Sequence, residues 1–105
     1  MRFPILDKYD NWDEIASKFN EEVKEFESEI TNDNQRGITR ELFDIMQVCI
    51  GGLDMLENQG VKLNPKLLEH YQKLLKRGWK IKGQVELDFI NRRSDVNEKK
   101  TSYKR

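Results

Sequence analysis

Several residue types that build common functional sites are scarce in this chain of 105 residues. It contains one cysteine, Cys49, and one histidine, His70, so an internal disulfide framework and a Cys/His zinc cluster are both excluded. A ferritin-like di-iron site, which needs two Glu-x-x-His motifs, is excluded as well. Because Cys49 stands in an apolar run, we predict a buried structural thiol there.

Long hydrophobic runs are also missing. No apolar stretch approaches the ~20 residues of a membrane-spanning helix, so we expect no membrane association. The first ten residues, MRFPILDKYD, are too short and too charged for a secretory signal. We therefore expect a cytoplasmic location.

The composition allows one modest domain with a thin core, because 36% of the residues are apolar and another 36% are charged. We predict a helical domain over residues 1–90. Residues 91–105 (NRRSDVNEKKTSYKR) offer little to bury and are expected to form a mobile basic tail. A thin core also predicts self-association, as a homodimer or a homotetramer.

Apolar spacing predicts a first helix from Asn11 to Ile30, capped by Asp10 or Asn11. The segment TNDNQRG (31–37) has turn chemistry and should end it. One apolar stripe repeats every three or four residues along this helix: Trp12, Ile15, Phe19, Val23, Phe26 and Ile30.

A second helix is predicted from Thr39, as N-cap, to Asn58, with Gly60 as the stop. Ten of the fifteen residues from Leu42 to Leu56 are apolar, which is too many for one stripe. Phe43 and Ile50 lie outside the main face, so a second copy of the chain is expected to cover them. That main face consists of Leu42, Ile45, Met46, Cys49, Leu53 and Leu56.

A third helix should open at Asn64-Pro65, a cap followed by a first-turn proline, and end near Gly78. Residues 80–90 (KIKGQVELDFI) fit either a short fourth helix or an extended arm. The predicted fold class is therefore all-α: an antiparallel bundle of three to four helices, completed by dimerisation or higher assembly.

Acidic residues concentrate at two places on the predicted helices. Glu22 and Glu25 are three apart and share one side of the first helix, and Glu41 and Asp44 do the same on the second. If the two helices pack antiparallel, both pairs can meet at the edge of the core. Four converging carboxylates require a cation or bound protons, and their hard oxygens suit Mg²⁺, Mn²⁺ or Ca²⁺. The competing interpretation is solvated surface, since Glu is a good helix former.

Charge is unevenly distributed along the chain. Residues 1–50 carry 6 basic and 12 acidic side chains, a net charge of −6, and residues 51–105 carry 13 and 7, a net charge of +6. Lys73 and Arg77 share a face of the third helix and could bind phosphate oxygens. They could equally complement the dipole at the C-terminal end of that helix.

In these residues the sequence resembles the MazG-like all-α nucleoside triphosphate pyrophosphohydrolases. The signature of that family is EExxE, a spacer and ExxD, and the chain has Glu21-Glu22-x-x-Glu25, fifteen residues, then Glu41-x-x-Asp44. The resemblance covers roughly residues 12–79. Lys73 and Arg77 match, weakly, a later Lys and Arg of the family.

The resemblance implies Mg²⁺-dependent hydrolysis of a nucleoside triphosphate between the α and β phosphates, with Mn²⁺ as a substitute ion. It implies Glu22, Glu25, Glu41 and Asp44 as metal ligands, and Glu22 or Glu25 as the group that takes a proton from the attacking water. Glu21 would orient that water. Lys73 and Arg77 would bind the substrate phosphates.

Two other functions remain compatible with the sequence. A non-catalytic helical assembly module would account for the excess of apolar residues on the second helix. Nucleic-acid binding through residues 73–105 is less expected, because the basic residues there lack interleaved aromatic side chains.

Overall fold

The computed structural model describes residues 1–90 and has three α-helices and no strand in that range. α1 spans Trp12–Thr31, α2 spans Gln35–Asn58 and α3 spans Leu63–Lys76. The predicted all-α class is confirmed. Residues 80–90 form no helix, and the predicted mobile tail at 91–105 lies outside the described residues.

α1 begins where the sequence predicts. The side chain of Asn11 accepts a hydrogen bond of 2.9 Å from the backbone N–H of Glu14. The Glu14 carboxylate in turn accepts one of 2.8 Å from the backbone N–H of Asp10. Two backbone donors at the helix start are thus satisfied, and the acidic residues of the first turn suit the helix dipole.

The predicted start of α2 is wrong by five residues, because the N-cap is Asn34 and not Thr39. The helix begins at Gln35, after Asn34 as the N-cap, and Thr39 lies inside it with its hydroxyl donating to the backbone carbonyl of Gln35. Only three residues, 32–34, separate α1 from α2, because Asp33 reverses the chain with a positive φ of 52°. The end near Gly60, which has a φ of 93°, is as predicted.

The start of α3 also differs from the prediction. Lys62 is the N-cap residue, so Asn64 is the second residue of the helix and not its cap. Pro65 still falls in the first turn, where its missing N–H leaves no helical hydrogen bond unmade. α3 ends at Lys76, and the following Gly78 has a φ of 83°.

α1 and α2 form an antiparallel pair that holds nearly all of the helix packing. Trp12 lies beside Gly52 near one end, and Arg40 pairs with Glu29 at the other. The start of α1 therefore lies beside the later part of α2, and the end of α1 lies beside the start of α2. α3 makes few contacts with either helix. The single chain is therefore a helical hairpin with a loosely attached third helix.

The N-terminal segment, residues 1–11, packs along α2. The rings of Phe3 and Phe43 meet edge to face at 5.6 Å. The side-chain amide of Gln47 donates to the backbone carbonyl of Pro4 at 2.6 Å. We expected a second copy of the chain to cover Phe43. Instead, residues of the same chain partly cover its ring.

The core is as thin as the composition predicts. Among residues 1–90, Val48 and Ile50 are the buried large apolar side chains, at 2% and 7% exposure. The expected burial of Cys49 is wrong, because Cys49 lies on a part of the α2 surface that the chain leaves uncovered and is exposed. Leu42 and Leu53, from the predicted main face, are exposed too. None of the three helices combines the length and apolar character needed to cross a bilayer.

Candidate metal centre

Three of the four predicted metal ligands come together between α1 and α2. Glu22 of α1 and Glu41 and Asp44 of α2 each offer a carboxylate oxygen, and these oxygens lie within 4.8 Å of one another. The antiparallel pairing explains the meeting, since Glu22 and Glu41 stand at matching heights on the two helices. Asp44 lies one turn further along the same face of α2.

Two of these carboxylates are buried and only partly satisfied. Glu22 and Glu41 are each 6% exposed. The Oε1 atom of each is shielded from solvent and has no hydrogen-bond partner. Buried carboxylate oxygens normally have partners, because stripping water from an anion is costly. A divalent cation with hard-oxygen preference would satisfy both atoms, so the residues fit such an ion.

Electrostatics in the cluster reflect the crowding of like charges. Burial, the adjacent carboxyl group of Glu22, and the charges of Glu25, Glu22 and Asp44 raise the pKa of Glu41 to about 7. Burial also acts to raise the pKa of Glu22, but the ammonium of Lys18 and the adjacent carboxyl group of Glu41 outweigh burial and lower this pKa from its usual value. The crowded carboxylates therefore share one proton near neutral pH.

Glu25 and Glu21 stand at the edge of the cluster. Glu25 is exposed and outside the set of three close oxygens, although partial desolvation and the charge of Glu22 raise its pKa. Glu21 is exposed, and its Oε1 accepts a hydrogen bond of 3.0 Å from the ammonium of Lys18. The predicted ligand role of Glu25 and the water-orienting role of Glu21 stay predictions.

The predicted phosphate clamp is not placed at the cluster by the single chain. Lys73 lies in the last turn of α3, Arg77 follows that helix, and both are exposed. Because α3 makes few contacts with α1 and α2, nothing within residues 1–90 holds these two cations against the carboxylates. Their role stays a prediction.

Two cations that sequence reasoning missed do touch the cluster. The ammonium of Lys18 is 3.2 Å from the Oε2 of Glu22. The Nε of Arg40 is 3.8 Å from the Oε2 of Glu41, and its guanidinium also pairs with Glu29 at 3.1 Å. The spacing of four between Lys18 and Glu22 was a usable signal, since such residues are neighbours on a helix.

An open groove of about 620 Å³ adjoins the cluster. It lies between residues 8–11 of the N-terminal segment and residues 13–21 of α1, and Lys18 and Glu21 line it. Tyr9 also lines it, and burial raises the pKa of its phenol, which is near enough to Lys18 and Glu22 to feel both charges. No sequence spacing pointed to Tyr9, because it precedes the first helix.

Comparison with protein-family models, with curated proteins and with solved structures finds no match to this chain. What the chain itself provides is a helical hairpin with a buried, electrostatically strained carboxylate cluster at its interface.

Proposed function

We propose that the protein is a Mg²⁺-dependent nucleoside triphosphate pyrophosphohydrolase of the MazG-like kind, with Mn²⁺ as a possible substitute ion. The observation that carries the proposal is the meeting of Glu22, Glu41 and Asp44, with two buried oxygens that lack partners. Acidic residues that merely decorate a surface have no reason to be buried beside each other.

In this proposal Glu22, Glu25, Glu41 and Asp44 hold the metal. Bound there, Mg²⁺ would lower the pKa of a coordinated water and offset the negative charge of the phosphates. Glu22 or Glu25 takes the proton of the attacking water. Glu25 suits this task because it is exposed, close to Glu22 and raised in pKa.

The remaining roles concern the substrate. Water adds to the α phosphorus, the bond to the bridging oxygen breaks, and a nucleoside monophosphate and pyrophosphate leave. Glu21 orients the water, while Lys73 and Arg77 bind the phosphates and stabilise the leaving pyrophosphate. Substrates from noncanonical or deoxy nucleoside triphosphates to dCTP, dUTP or phosphoribosyl-ATP share this chemistry. A cytoplasmic location and no nucleic-acid partner remain part of the proposal.

We also propose that the active form is a homodimer or homotetramer. The support comes from α2, where Leu42, Cys49 and Leu53 are exposed at spacings of seven and four. Such a stripe matches the seam along which helices associate. Ile50, which the sequence assigned to the interface, is buried within the chain and gives no support.

The same stripe supports the alternative function, a non-catalytic helical assembly module. That module would need the apolar row but would gain nothing from the buried carboxylates. The two functions are separated by pyrophosphate release.

The test is pyrophosphate release from a panel of nucleoside triphosphates with Mg²⁺. We expect the wild type to act on at least one of them, and Glu41→Gln and Asp44→Asn to lose at least about a hundredfold in rate. Glu27→Gln, on the exposed face of α1, is the matched control and should keep full activity. Activity that survives both cluster substitutions would overturn the proposed site.

A further inference from the structure

Lys18 occupies a special position beside the carboxylate cluster. Its ammonium bridges the Oε2 of Glu22 at 3.2 Å and the Oε1 of Glu21 at 3.0 Å. The other oxygen of Glu22, Oε1, is buried and has no hydrogen-bond partner. One side of the Glu22 carboxylate is thus neutralised by a side chain, while the other is left for a different cation.

The contacts of Lys18 are ones that can exchange. Both partners lie on its own helix within about one turn, and its side chain is 34% exposed. Because the lysine stem is flexible and partly exposed, the ammonium can turn from Glu22 towards solvent or a ligand without any movement of the helix backbone. Arg40, by contrast, is tied to Glu29 at the far end of the helix pair and is 3.8 Å from Glu41.

Lys18 also faces the open groove beside the cluster. The groove is open to solvent and is lined mainly by polar and charged side chains. Its other basic side chain is Lys8, while Asp13, Glu14 and Glu21 are acidic. An anionic ligand in this groove would therefore meet Lys18 as the cation nearest to the carboxylates.

We propose that Lys18 is an exchangeable cation of the site. It pairs with Glu22 while no divalent ion is bound, and it contacts the substrate phosphates from the groove once the ion has taken over Glu22. This inference rests on the proposed function. It adds a phosphate-binding residue on α1 to the expected pair on the third helix, and it makes Lys18 a competitor of the metal in the free protein.

The two halves of the inference predict opposite effects of one substitution. In Lys18→Gln the aliphatic stem remains, while the competing positive charge is removed. Mg²⁺ alone should then bind on the order of fivefold more tightly, because a like charge near the ion has gone. Pyrophosphate, the product shared by every candidate substrate, should bind on the order of tenfold more weakly in the presence of Mg²⁺, because a charged donor is lost.

The measurements are calorimetric titrations of Mg²⁺ alone, and of pyrophosphate with Mg²⁺ present. Lys24→Gln is the matched control, since Lys24 is exposed on the same helix and joins no ion pair recorded within residues 1–90. Lys18→Arg keeps the charge and should restore pyrophosphate affinity to near the wild-type value. Circular dichroism melts establish that all three variants fold.

Each outcome decides something different. Tighter Mg²⁺ together with weaker pyrophosphate in Lys18→Gln supports the inference. Wild-type values for both ligands would overturn it and reduce Lys18 to a surface ion pair. Tighter Mg²⁺ with unchanged pyrophosphate would overturn the phosphate contact. A wild-type protein that binds no Mg²⁺ at all would defeat the proposed function and this inference with it.

Discussion

The ring of Tyr9 lies against the backbone of α2 at Gly51, where an added β-carbon would stand 2.9 Å from two ring atoms. An aromatic ring from the N-terminal segment thus rests on the helix at a position where only a glycine leaves room for it. This contact fixes one end of the groove beside the carboxylate cluster.

Gly51→Ala and Gly52→Ala form a matched pair that tests this contact. A β-carbon at Gly52 would lie 3.5 Å from Trp12, an ordinary contact, so Gly52→Ala should stabilise the helix by up to ~1 kcal/mol. Gly51→Ala should instead destabilise the protein by ~1–3 kcal/mol, because the Tyr9 ring must move. Thermal or urea unfolding measures both. Equal gains in stability from the two substitutions would contradict the packing of Tyr9.

Stability in the absence of divalent ions should depend on pH. The pKa of Glu41 is raised from 4.5 to about 7 in the folded protein, so its contribution is full below pH 4.5 and is lost as the pH rises through about 7. Glu25 shifts in the same direction. Glu22 shifts in the opposite direction, so its contribution holds above pH 4.5 and is lost as the pH falls through its lowered pKa.

We therefore expect a lower melting temperature at pH 8 than at pH 5.5 when EDTA is present. Added Mg²⁺ should remove the difference, because the ion replaces the proton at Glu41 and binds better as that proton leaves. The measurement is a set of thermal melts at both pH values, with EDTA and with Mg²⁺. A metal-free protein that is more stable at pH 8 would contradict the crowding of charges.

Glu41→Gln should make the metal-free protein more stable at pH 8 and abolish the stabilisation by Mg²⁺. The amide keeps the shape of the side chain and removes one charge from the cluster, so the metal-free variant should melt at a higher temperature than the wild type at pH 8. The same variant should lose the rise in melting temperature caused by Mg²⁺. Glu27→Gln, which alters an exposed residue of α1, should change neither property. A Glu41→Gln protein with an intact Mg²⁺ response would remove Glu41 from the ligands.

Self-association is tested through the exposed stripe on α2. Leu42 and Leu53 are 45% and 37% exposed in the single chain, and burying a leucine contributes about 1.5–3 kcal/mol. Light scattering should give the mass of a dimer or tetramer at micromolar concentration. Leu42→Glu combined with Leu53→Glu should shift the mass towards the monomer, while Lys24→Glu on α1 should not. A wild-type monomer would refute this interface.

Local patterns in the sequence predicted the helices well and their packing poorly. The cap at Asn11 and the stop at Gly60 follow from residue chemistry that acts within one turn. The early start of α2 does not, because Gln35, Arg36 and Gly37 are weak signals that become helical when Arg40 and Asn34 bond to Glu29 of α1. Such tertiary contacts are invisible to local propensity.

The candidate site was likewise predicted only in part from local sequence patterns. Spacing on each helix placed Glu22, Glu41 and Asp44 correctly, because a three-residue turn forces the helices to pair antiparallel. The residue spacing did not predict that Glu25 lies at the edge of the carboxylate cluster, because its position depends on how α1 is rotated against α2. The position of Tyr9 was not predicted, because Tyr9 lies in an irregular segment where no apolar periodicity indicates which side chains point inwards.

The prediction that Cys49 is buried was wrong for a similar reason. Apolar periodicity identifies which residues share a face but not which face the single chain covers. On α2 the covered face contains Glu41 and Val48, and the more apolar face with Leu42 and Cys49 is left open.

The most direct test of the central claim is a crystal structure of the wild-type protein grown with Mn²⁺ in place of Mg²⁺. Mn²⁺ takes the same oxygen ligands and can be located by its anomalous scattering. Our account predicts one anomalous peak at coordinating distance from the carboxylates of Glu22, Glu41 and Asp44. Well-ordered carboxylates at these three residues with no peak between them would contradict it.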